Sequence, residues 1–96
     1  MKEIEKIMTL HPEGKNGVRI DLRKYETMRD SILSALKESG SATHTELLNK
    51  VRKDIGHNFD GSIMWFFETV KLDLEARSAI KRHMDKIQKK TIYELT

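Results

Sequence analysis

Cysteine is absent from the 96 residues, which excludes disulfides, thiolate-bound zinc, iron–sulfur clusters and a cysteine nucleophile. Proline occurs once, at Pro12, so no proline-rich linker separates two units. No apolar run approaches the roughly 20 residues that a membrane span needs, and Met1 to Thr9 mixes acids with bases and has no apolar stretch of signal length. These absences point to a cytoplasmic protein without a membrane partner. Aromatic residues make up only 6% of the chain, so each buried ring carries a large share of a lean core. The length leaves room for one domain and excludes a two-domain enzyme.

Charge is plentiful, at 34% of residues, with a net value of +3. Its distribution matters more than its sum. Residues 77–96 hold six bases (Arg77, Lys81, Arg82, Lys86, Lys89, Lys90) against two acids (Asp85, Glu94), a local charge of +4 that leaves the first 76 residues at −1. The positive charge is gathered at one end.

Residues 7–20 read as an extended or two-stranded arm. Ile7, Met8 and Leu10 precede a turn-rich His11 to Gly17, and Val18, Ile20 and Leu22 alternate after it. Asp21 caps a first helix that carries Tyr25, Met28, Ile32, Leu33, Ala35 and Leu36 at helical spacing and stops at Gly40. A second helix opens with the Thr43 to Glu46 capping box and ends at Gly56. Asp60 or Ser62 caps a third, the apolar stretch from Ile63 to Arg77. The period then changes, and Ser78 to Met84 and Lys89 to Leu95 read as strands joined near Asp85 to Gln88. The expected fold class is α+β, three helices followed by a C-terminal β-hairpin, with an arm (1–21) packed on one globular unit (22–96).

That order, with its basic terminal ribbon, is the order of a winged helix-turn-helix domain. The stretch Thr69 to Arg77, preceded by Trp65 and followed by an Ile-Lys-Arg strand, resembles short bacterial winged-helix proteins of unassigned function. Gly14 to Asp21 is similar to their N-terminal arm. The resemblance implies a winged-helix architecture and no known reaction. The chain departs from related winged domains at Ser78, where they usually place glycine, the residue best suited to a positive backbone φ.

In the third helix Ile63, Phe66, Phe67, Val70 and Leu74 fall on one arc and form the core face. Nearly opposite lie Trp65, Leu72 and Ala76, with Thr69 beside them, a second apolar stripe unusual on a solvated helix. One reading has the arm fold over this stripe and complete the core. A second makes it a protein contact, either a homodimer or a heterologous interface anchored by the indole, and a third gives it a base-stacking or ligand role. A helix that reads the major groove offers Arg, Lys, Asn or Gln to base edges. Here Lys71 stands against Glu68, Asp73 and Glu75, so sequence-specific readout by this helix is not expected.

Nucleic acid enters through the basic ribbon. Lys81, Arg82, Lys86, Lys89 and Lys90 cluster on a hairpin of the kind that contacts phosphates of duplex DNA without regard to sequence. Exposed lysines that only solubilise the hairpin and protect its edge would give the same composition. The four histidines are isolated, without H-x-x-x-H spacing, so no metal is expected. Gly14-Lys15-Asn16-Gly17 lacks the spacing of a phosphate loop, and no serine has a G-x-S-x-G context. No cofactor, no catalytic residue and no enzymatic activity are expected.

Overall fold

The computed structural model describes residues 4–96; residues 1–3 of the expected arm lie outside the described part. The chain runs β1 (Lys6–Met8), β2 (Arg19–Asp21), α1 (Leu22–Ser39), β3 (Ser41–Thr43), α2 (His44–Ile55), α3 (Ile63–Ala76), β4 (Ile80–Asp85) and β5 (Lys90–Leu95). The architecture is α+β, with three helices and two small antiparallel sheets. No described helix is long and apolar enough to cross a membrane.

Local chemistry sets the helix ends. The Asp21 carboxylate accepts from the backbone N–H groups of Arg23 and Lys24, filling two donors that a helix start leaves open. Gly40 closes α1 at φ 81°, a left-handed conformation that glycine adopts without a Cβ clash, and its N–H donates to the Leu36 carbonyl. Thr43 and Glu46 cap α2 reciprocally. Ser62 accepts from the N–H of Trp65 at the start of α3.

Buried side chains of all three helices meet in one core with Phe67, Met28, Ile32, Leu36, Leu47, Val51, Val70 and Leu74 at its centre. β3 was not expected: it is three residues long, between the α1 cap and the α2 capping box. It pairs antiparallel with β5, Ala42 opposite Tyr93, so the C-terminal hairpin becomes a three-stranded sheet of order β3-β5-β4. Ala42, Ile80 and Tyr93 close the core from this side.

The arm is a two-stranded ribbon with Ile7 opposite Ile20. Thr9 extends it: its N–H donates to the Val18 carbonyl at 2.8 Å, and its hydroxyl accepts from the N–H of Val18 at 2.9 Å. Ile20 enters the core and Ile7 packs against it. Leu10 is tied to α3 by its N–H, which donates to Asp73 at 2.8 Å.

Candidate nucleic-acid interface

The hairpin β4–β5 is longer than the strand that supports it. β3 reaches only as far as Thr43 opposite Ile92, whereas β4 and β5 continue to Met84 opposite Thr91 and Asp85 opposite Lys90. Beyond Ile92 the structure is a two-stranded ribbon. Its turn is held by Asp85, whose Oδ1 accepts from the N–H of Ile87 at 2.9 Å and of Gln88 at 3.2 Å, and Lys89 completes it at φ 55°.

The five expected phosphate-binding bases divide into two groups. Lys81 lies 3.6 Å from Glu94, and Arg82 lies 3.5 Å from Glu75, so both have an acidic neighbour on the domain body. Lys86, Lys89 and Lys90 are exposed, and among the described residues none has a carboxylate within ion-pair distance. Opposed residues of antiparallel strands share a face. One face of the sheet therefore carries Lys81, His83, Asp85, Lys90, Ile92 and Glu94; of these His83, Asp85, Ile92 and Glu94, with Glu46, Ser41 and Thr43, line a cleft of about 400 Å³. Three carboxylates in that cleft make the flat of the sheet a poor surface for phosphate, so the free cations are concentrated at the tip.

The third helix proves less acidic at its surface than its sequence. The Asp73 side chain is fully buried and pairs with the Arg77 guanidinium at 2.9 Å. Lys71 is 3% exposed; its Nζ donates to the Tyr93 hydroxyl at 3.0 Å, lies 4.7 Å from the Tyr93 ring centroid and is 3.6 Å from Glu68. Glu68 also meets the His44 ring nitrogen. Glu75 turns inward beside Arg82, with both oxygens buried and accepting no hydrogen bond among the described residues. The excess of acid over base that the sequence gives α3 is thus largely turned away from the surface: three of its four charged side chains, Lys71, Asp73 and Glu75, point into the protein. α3 also shows no base to solvent, since Lys71 is its only one.

What α3 does expose is apolar. Trp65 is 46% exposed and stands edge-on to Phe66, which in turn meets Phe59 edge-on. Met64 is comparably open, while Leu72, Ala76 and Thr69 are half-buried. The arm docks through the side chains of Ile20 and Ile7 and the backbone of Leu10, and the indole stays half-exposed. Trp65, Leu72 and Ala76 share a helix face without forming one continuous bare patch.

Around Asp73 the structure gathers groups that the sequence does not bring together. Its oxygens accept from the Tyr25 hydroxyl, the Leu10 N–H and the Arg77 guanidinium. Burial, and then the hydrogen bond to Asp73, push the Tyr25 hydroxyl up to about 12. The same carboxylate raises Arg77 further above its ordinary value. The i, i+4 spacing of Asp73 and Arg77 is the signal that could have revealed this pair. The described residues contain no group of three or more metal-ligating side chains.

A family model described as a family of unknown function, DUF6958, matches residues 6–90. No curated protein and no solved structure matches the chain.

Proposed function

The chain belongs to that family of unknown function, and from its geometry we propose that it is a non-enzymatic winged-helix domain of the cytoplasm that binds duplex DNA by its backbone through the C-terminal wing. Two features favour the winged-helix reading. A short strand sits between the first two helices, and the terminal hairpin pairs with it in the order β3-β5-β4. The observation that carries the binding reading is the set of exposed lysines, Lys86, Lys89 and Lys90, on a ribbon that projects beyond its supporting strand, none of them within ion-pair distance of a carboxylate among the described residues. Such cations gain by releasing counterions from the phosphates they neutralise.

Base readout forms no part of this function, because the helix that occupies the recognition position shows no base to a groove. The wing alone binds without sequence preference. Three phosphate contacts give a slope of about −2.7 in log K against log salt, or a loss of about 40-fold between 50 and 200 mM salt. Titration of a labelled duplex over that range tests it. Lys89→Glu with Lys90→Glu should weaken binding by about tenfold or more, and affinity left unchanged by this double reversal excludes the wing as the contact.

A second reading rests on Trp65. An indole 46% exposed beside an open Met64 is the kind of anchor that protein contacts use. Here Trp65, Leu72 and Ala76 meet a second copy or another protein, without DNA. Light scattering with and without duplex DNA separates the readings, since it reports self-association and DNA binding in one measurement.

A further inference from the structure

Ile87 sits at the apex of the wing and is 94% exposed, the most open of the large apolar residues described. A β-branched residue is poorly suited to a tight turn, where Asn, Asp and Gly prevail. Two positions later Lys89 holds φ 55°, a conformation that also favours glycine. Both departures lie within one turn. The turn is nonetheless well built: Asp85 accepts from the backbone of Ile87 and Gln88, and Asp85 pairs with Lys90 across the ribbon. The apex therefore presents an aliphatic side chain in a fixed place, with Lys86, Lys89 and Lys90 around it.

Resting on the reading of the wing as the DNA contact, we infer that the wing meets duplex DNA tip first and that Ile87 is a wedge: it enters the minor groove and opens a base step while the three lysines hold the flanking phosphates. The carboxylates Glu46, Asp85 and Glu94 on the sheet face keep phosphate away from the flat of the ribbon, which leaves the tip as the approach. The minor groove is about 6 Å wide and admits a turn but not a sheet face. Inserted aliphatic side chains partly unstack base pairs and kink the duplex. A step opened this way needs only one such side chain. A lipid surface needs a broader apolar area than one isoleucine beside Gln88 can offer, and a second copy of the wing would bring like charges together.

The test uses the intact chain, an end-labelled duplex of about 20 base pairs that reports bending by energy transfer, and a 2-aminopurine reporter of unstacking, all at low salt. The wild-type protein should bind, shorten the end-to-end distance and raise the 2-aminopurine signal. Ile87→Ser, at a site without packing contacts to lose, should bind within about threefold of wild type and lose both signals. Lys89→Glu with Lys90→Glu should lose binding by about tenfold or more. Bending and unstacking that persist in Ile87→Ser overturn the wedge and leave the wing reading intact. Failure of the wild-type protein to bind the duplex overturns the wing reading itself. Binding to anionic phosphatidylserine vesicles that depends on Ile87, without binding to the duplex, overturns both in favour of a lipid surface.

Discussion

The hydroxyl of Tyr25 on α1 donates to the carboxylate of Asp73 on α3, 48 residues later, in the buried interior. That carboxylate also holds the arm through Leu10 and the end of α3 through Arg77. One side chain thus joins three separate parts of the chain. A buried charge of this kind is tolerated because its lone pairs are filled by a hydroxyl, an amide and a guanidinium.

Alkaline pH should loosen this joint. The Tyr25 hydroxyl stands at about 12 in the folded protein and at its ordinary 10.0 when unfolded. A group whose value is raised by folding contributes fully below the unfolded value. That contribution falls as pH rises from 10 and is gone above about 12. Tyr25→Phe should cost about 1–3 kcal/mol at neutral pH. The stability gap between wild type and variant, measured by urea unfolding, should then close between pH 10 and 12. A gap that stays constant to pH 12 contradicts the role assigned to the hydroxyl.

The helices and the C-terminal hairpin were legible because their signals are local. Asp21, Gly40, the Thr43 to Glu46 box and Ser62 each mark an end through a bond to a nearby backbone group. β3 was illegible: three residues show no alternation, and Ser41–Thr43 is a strand only because β5, about fifty residues later, lies beside it. The candidate interface was legible as a list of bases but not as a grouping. Neither the neighbours of Lys81 and Arg82 nor the inward turn of Lys71, Asp73 and Glu75 follows from helical spacing alone.

Ser78 occupies the glycine position of a helix end. Its N–H donates to Glu75, that of Ala79 donates to Leu74, and Ser78 itself takes φ 62°. A left-handed residue with a Cβ costs about 1–2 kcal/mol, part of which glycine gives back as unfolded-chain entropy. Ser78→Gly should therefore stabilise the fold by about 0.5–1 kcal/mol, and thermal unfolding should show a rise of a few degrees. No rise would mean that the turn relaxes around serine without strain.

Gly17 matters through space rather than φ. A Cβ built there would lie 1.7 Å from the carbonyl oxygen of Thr9, where the arm closes on itself. Gly17→Ala should open the arm at Thr9 and Val18 while the helical core stays folded. Limited proteolysis should cut the variant between residues 9 and 18 much faster than wild type, with little change in helical circular dichroism. Equal cleavage of the two proteins would show that the arm adjusts.

Lys89 places stability and binding in opposition. At φ 55° its backbone favours glycine, and among the described residues no carboxylate is close enough to reward the ammonium. Lys89→Gly should relieve the turn and stabilise the hairpin by about 0.5–1 kcal/mol. In the proposed complex the same change removes one phosphate contact, so the salt slope for duplex binding should shrink by about 0.9. Thermal stability should thus rise as affinity falls. Lys89→Asn should show the same division, because asparagine also tolerates the left-handed region and carries no charge. If either variant keeps the full slope, Lys89 touches no phosphate, and the exposed cations of the wing reduce to Lys86 and Lys90.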